Sequence, residues 1–108
     1  MTRARGTDEP RVLVVGYHAW DLIMPVDSFP EPDGKMAVSR MLTCGGGPGA
    51  TAAVALARLG ASVRFLTPLT DDEPGRRQAR ELREAGVDLS LCPVQPGHQS
   101  PRAVILVD

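Results

Sequence analysis

Three consecutive glycines, Gly45, Gly46 and Gly47, stand before Pro48 and a run of small, helix-compatible residues, GATAAVALARLG. Glycine opens backbone conformations closed to other residues and lets a ligand approach the main chain closely. A helix starting after such a run turns its first free N–H groups toward whatever occupies the corner, which suits polar or anionic ligands. The bland alternative is a flexible connector, but Pro48 in the first helical turn argues for a defined geometry. Asp21 follows the valine-rich run RVLVVG at residues 11–16 by five positions. Ligands of open α/β sheets bind beyond the carboxyl ends of strands, where a carboxylate can grip a hydroxyl. A turn aspartate bonded to its own backbone fits the same pattern.

The other residues with chemical potential form no pattern. His18 and His98 are the two histidines, and no spacing makes them a metal pair or part of a triad, so both are expected as surface or loop residues. Cys44 and Cys92 lie far apart, outside any CxxC or Cys/His ligand arrangement, and read as free thiols in a reducing compartment. Nothing near Cys44 in sequence would lower its pKa, so it is not assigned as a nucleophile. Gly45, Gly47 and Ala50 satisfy G-x-G-x-x-A, but the run before them is half polar and Phe65 stands where an acidic residue is needed. No Lys-Ser/Thr pair follows the glycines, which excludes a Walker A loop.

The elements that must position these residues are legible from periodicity. Residues 11–16 form a continuous apolar run, the pattern of a strand buried on both faces of a parallel sheet. Residues 22–29 and 35–43 read as two further strands, the first interrupted by Pro25, around the turn-forming FPEPDG; together they make an excursion from the main sheet, an antiparallel flap. A helix starts near Pro48, carries Ala53, Leu56 and Ala57 at helical spacing, and closes at Gly60. SVRFL (62–66) is the next strand, giving a parallel βαβ crossover. Thr70, Asp71 or Asp72 caps an amphipathic helix over residues 75–85 that has Pro74 in its first turn and Arg76, Arg77, Arg80 and Arg83 on a solvated side. Residues 87–91 start a short strand, 92–101 form a loop, and RAVILV (102–107) is a strand of buried type. A strand of that type with nothing after it to cover the sheet points to part of a larger fold.

Composition sets the bounds. The chain has 108 residues, at most one domain, with residues 1–10 as a loose polar tail. It is 43% hydrophobic and only 4% aromatic, so its core rests on Val, Leu and Ala. A net charge of −1 leaves no basic footprint for nucleic acid. The amino terminus lacks the apolar core of a signal peptide and no apolar run reaches membrane-spanning length, so the expectation is a cytoplasmic protein.

Taken together, GGGPGATAAVALARLGA, TDDEPG with its D-D-x-x-G turn at residues 71–75, EAGVD at 84–88 and the closing AVILVD resemble the amino-terminal signature of the PfkB/ribokinase carbohydrate kinases. The resemblance covers residues 11–108 and implies a ribokinase-like α/β fold, a parallel βαβ core with a small β flap (lid strands at about 22–43), incomplete in this chain. It further implies that Asp21 binds sugar hydroxyls and that the backbone of Gly45, Gly46 and Gly47 lines the same sugar. Thr51 stands where many members carry a substrate-contacting asparagine, and a hydroxyl cannot offer the amide's donor–acceptor pair. Thr70 and Pro74 depart from the family's G-D-D-x-x-G turn. ATA after the glycines, Gly34-Lys35 and Gln99-Ser100 are similar to sulfofructose-kinase-like members, a likeness under which Lys35 or Arg40 meets an anionic substituent. ATP and Mg2+ are the implied cofactors of the parent protein. The family's catalytic aspartate and most ATP contacts belong to its carboxyl-terminal half, so this chain is expected to hold the acceptor at most, to bind nucleotide poorly and to be inactive alone. Lid strands in the family also pair between subunits, which implies a homodimer. The alternative is a non-catalytic sugar-binding or regulatory module of the same fold.

Overall fold

The computed structural model describes residues 9–108, so most of the expected tail, residues 1–8, lies outside the described residues. Ten elements follow in order: β1 (Arg11–Val15), β2 (Ala19–Pro25), β3 (Leu42–Gly46), α1 (Pro48–Arg58), β4 (Ser62–Leu66), β5 (Leu69–Thr70), α2 (Glu73–Glu84), β6 (Val87–Asp88), β7 (Val94–Gln95) and β8 (Arg102–Val107).

The core sheet has strand order β1-β4-β6, all parallel. The register sets Val12 beside Val63 and Val14 beside Phe65, so these four share one face. On that face Val63 and Phe65 join Ala50 and Ala53 of α1 and Ala79 and Leu82 of α2 in a single apolar cluster, so both helices cover the same side. The other side is open: Leu13 is 54% and Val15 68% exposed. The expected strand buried on both faces is therefore covered on one only, because no described element packs against the second.

Both helices end as their residues dictate. In α1, Gly47 at φ 95° precedes Pro48 with no side-chain cap. At the far end Gly60 (φ 100°) makes a complete Schellman motif, with the Gly60 N–H on the Ala57 carbonyl and the Ala61 N–H on the Leu56 carbonyl. α2 begins at Asp72, which among the three candidate caps is the one whose carboxylate accepts from the Gly75 N–H.

A second sheet, ordered β3-β2-β8, pairs β2 antiparallel with β3 and parallel with β8. This is the flap, and it departs from expectation in three ways. Its first strand starts at Ala19, so Asp21 lies within β2 rather than in a turn. Its second strand starts only at Leu42, and residues 26–41 form no strand, since Pro25, Pro30, Pro32 and the turn at Asp33 withhold donors and redirect the chain. The apolar run of β8 joins this sheet and not the core; its face stays half open, with Val104 at 65% exposed. Two more runs were read differently from sequence: residues 87–91 yield only the two-residue β6, and the expected loop contains β7, which pairs with β5. The flap stands away from the core. The Cα radius of gyration, 16.9 Å, exceeds the roughly 13 Å of a compact 100-residue domain.

Candidate functional site

The three glycines are not one flexible turn. Gly45 and Gly46 belong to β3 and only Gly47 has positive φ. Each answers to a different neighbour. A Cβ on Gly45 would lie 2.7 Å from Glu81 Oε2 and 3.2 Å from Gln78 Nε2, both on α2. A Cβ on Gly46 would lie 2.6 Å from the Asp21 carboxyl carbon. A Cβ on Gly47 would lie 2.8 Å from His18 Cα and 2.9 Å from the Ala19 nitrogen, a backbone wall that cannot give way.

Register explains the split. Asp21 pairs with Cys44 and Ala19 with Gly46, so the Asp21 carboxylate lies diagonally over Gly46 on one face of the flap. Trp20 and Gly45 form the adjacent pair and face the other way, toward α2, where the Arg77 guanidinium lies 5.1 Å from the Trp20 ring centroid. The Gly45 N–H is already engaged, donating to Glu81 Oε2 at 3.0 Å. Of the backbone groups expected around a ligand beside Asp21, Gly46 stands next to the carboxylate, Gly47 follows it against the His18–Ala19 backbone, and Gly45 faces the other way.

The corner is set against the core by close backbone approach. Gly49, in the first turn of α1, packs on the Gly16 Cα and the Phe65 ring, which brings the helix start to the carboxyl end of β1. Thr51 is exposed one turn into α1 and lines an open groove with Gly45, Gln78 and Glu81. Lys35 and Arg40 are exposed on the segment between β2 and β3, and among the described residues neither forms an ion pair.

His18 overturns its expectation as a surface residue. It is 1% exposed, with Nδ1 2.8 Å from Gln78 Oε1 and Nε2 2.9 Å from the Pro68 carbonyl oxygen. Gln78, also 1% exposed, donates from Nε2 to the Gly46 carbonyl at 3.0 Å. No local sequence signal foretells this, because the partners of His18 lie 50 and 60 positions away. At the carboxyl end of β4, the buried Thr67 hydroxyl has no hydrogen-bond partner among the described residues.

A second polar cluster holds the α2 start. Asp72 Oδ1 accepts from the Gly75 N–H, the Thr70 hydroxyl and the Ser100 hydroxyl, and Oδ2 from the Ser100 N–H. Partial burial alone would raise the Asp72 carboxyl; the bonds from Ser100, Thr70 and Gly75 outweigh it and hold the group well below the usual carboxylate range. The departures Thr70 and Pro74 thus leave the turn intact, Thr70 by supplying a hydroxyl of its own. Burial first, then the Asp21 and Glu81 carboxylates, push the Cys44 thiol up, so it stays protonated and is no nucleophile. Among the described residues no group of three or more His, Cys, Asp or Glu side chains is placed to hold a metal ion. No described helix is long and apolar enough to cross a membrane.

Residues 9–108 match the family model described as pfkB family carbohydrate kinase. Over 98 residues the chain is 36% identical to the ATP-dependent ribose-1-phosphate kinase of Halopiger xanaduensis, covering 91% of this chain and 33% of that protein. Among solved structures, Arabidopsis thaliana ribokinase complexed with ribose and ATP superposes with a TM-score of 0.76 at 25% identity, over 91% of this chain and 32% of that one. The nucleoside kinase of Methanocaldococcus jannaschii, described as an archaeal member of the ribokinase family, gives 0.77 at 26% identity, over 95% and 34%. The chain has the ribokinase-like fold over about a third of the length of these relatives. With its glycine corner, flap and α2 turn in place, it belongs to the pfkB family of carbohydrate kinases.

Proposed function

We propose that this chain is the acceptor-binding, amino-terminal part of an ATP-dependent carbohydrate kinase, spanning residues 11–108, and that it is inactive alone. The observation that carries this reading is the Asp21 carboxylate lying over Gly46 beside the carboxyl end of β1. A half-buried carboxylate next to a side-chain-free backbone can accept from two sugar hydroxyls while the ring rests on the glycines. Thr51 would add a hydroxyl from the Gly45 side of the corner, across the glycines from Asp21. Lys35 and Arg40, on the flap segment, would meet a phosphate or other anionic substituent once the flap closes over the sugar. The ribose named for two of the relatives makes ribose or a ribose derivative the first acceptor to test, ahead of sulfofructose.

Phosphoryl transfer rests on positioning the acceptor and stabilising charge on the transferred group. The residues here serve the first task. Nucleotide and Mg2+ would be held by the remainder of the fold, in keeping with a relative solved with both ribose and ATP. Pairing of two flaps across the open edge of β3 would give a homodimer, and the setting would be cytoplasmic.

The test is ATP-dependent phosphorylation of D-ribose, ribose-1-phosphate, fructose and a nucleoside by the complete protein, with the 108-residue chain assayed in parallel. Turnover with one sugar acceptor and none by the chain alone supports the reading. Sugar-dependent turnover by the chain alone, or a complete protein that binds sugars and phosphorylates none, would sink it, and the second result favours a regulatory sugar-binding module.

A further inference from the structure

Four segments distant in sequence meet at two buried side chains. The His18 ring joins the β1–β2 loop to the Pro68 carbonyl, Gln78 joins His18 to the Gly46 carbonyl, and the Gly47 corner rests on the His18 backbone. From these contacts we propose that Gln78, held in place by His18, is a positioning residue that fixes the Gly46–Gly47 corner at the height Asp21 requires. The inference rests on the acceptor-site reading above and assigns a role to two residues that touch no sugar themselves.

Hydrogen-bond directions give the pair its specificity. The Gly46 and Pro68 carbonyls are acceptors only, so Gln78 must turn its NH2 to Gly46 and His18 must turn an N–H to Pro68. Flipping the Gln78 amide would set its oxygen against the Gly46 oxygen, which fixes the amide orientation. The Gln78 oxygen then faces His18 Nδ1 at 2.8 Å, so ring and amide hold each other in place. From the ring one contact runs to the Pro68 carbonyl and another runs through Gln78 to Gly46. Both side chains are buried, so water cannot replace a lost partner cheaply. A second clip acts in parallel, the Glu81 carboxylate on the Gly45 N–H, so α2 grips the edge of β3 at successive residues.

Apolar Gln78→Met keeps the volume and removes both bonds. Gln78→Glu keeps an acceptor for His18 but presents a carboxylate to the Gly46 carbonyl. In the wild-type protein, ring-nitrogen NMR should find a slowly exchanging proton on His18 Nε2, the nitrogen that faces the Pro68 carbonyl. D-ribose titrated by calorimetry should bind about tenfold more weakly to both variants, with the number of sites per folded molecule unchanged. A merely structural role would lower the number of competent molecules and leave the dissociation constant alone, and that result overturns the proposal. Gln78→Glu serves if Gln78→Met fails to fold. A fast-exchanging proton on His18 Nε2 also overturns it. Failure of the wild type to bind ribose removes the acceptor-site reading and this inference with it, whereas ribose binding indifferent to both variants removes the inference alone.

Discussion

Gly46→Ala separates binding from folding. Gly46 has no positive φ, so alanine meets no backbone strain there, and reduced freedom of the unfolded chain offsets part of any cost, by about 0.4–1 kcal/mol. What the new Cβ meets is the Asp21 carboxylate, Oδ2 first and the carboxyl carbon at 2.6 Å behind it. Ordinary contact begins near 3.4 Å, so the carboxylate must retreat by more than an ångström. It is the mobile end of a side chain and can do so cheaply. Losing one charge-assisted hydrogen bond to a sugar hydroxyl costs about 1.5–3 kcal/mol, or roughly 10- to 150-fold in affinity. The assay is calorimetric titration of D-ribose into wild-type and variant protein, beside thermal unfolding of both. The expected result is a loss of affinity in that range with a melting temperature within about 5 °C of wild type. Unchanged ribose affinity in a folded variant would refute the placement of Asp21, and a collapsed melting temperature would show that Gly46 serves the fold.

Other perturbations follow the same logic. Gly47→Ala should be strongly destabilising, since its φ of 95° with ψ of 148° is a conformation kept almost wholly to glycine, a strain of about 1–3 kcal/mol added to a clash with the His18 backbone; a melting temperature close to wild type would contradict that. Asp72→Ala removes a helix cap worth about 1 kcal/mol and strands the Ser100 N–H at about 1–3 kcal/mol, while the Thr70 hydroxyl keeps the Ser100 hydroxyl at 2.7 Å. The resulting loss, about 2 kcal/mol or more, should lower the melting temperature by at least about 8 °C, read by circular dichroism. Because the folded Asp72 carboxyl lies below its ordinary 3.8, the unfolded chain binds more protons in acid. Its contribution is present at neutral pH and lost as pH falls below about 4, and urea unfolding between pH 7 and pH 3 should show a steeper fall for wild type than for Asp72→Ala.

Much of this was legible in the chain. The α1 span follows from Pro48 and Gly60, the α2 cap from an Asx residue three positions before Gly75, and β4 from the alternation in SVRFL. Asp21 and Gly46 were both singled out before their contact could be known. What stayed hidden depends on pairing across long separations. An apolar run such as RAVILV reads as a buried strand whichever sheet receives it, and only the register with β2 puts it in the flap. His18 gives no sign of burial because its two partners come from other elements. The glycine run read as one device, whereas each glycine answers to a different side chain or backbone.

The most direct measurement is an NMR titration of isotope-labelled protein with D-ribose, residue by residue. Shifts concentrated at Asp21, Gly46, Gly47 and Thr51, and abolished by Asp21→Ala without unfolding, are the predicted result. Shifts confined to the arginine side of α2, or ribose binding that survives Asp21→Ala unchanged, would contradict an acceptor site at the glycine corner.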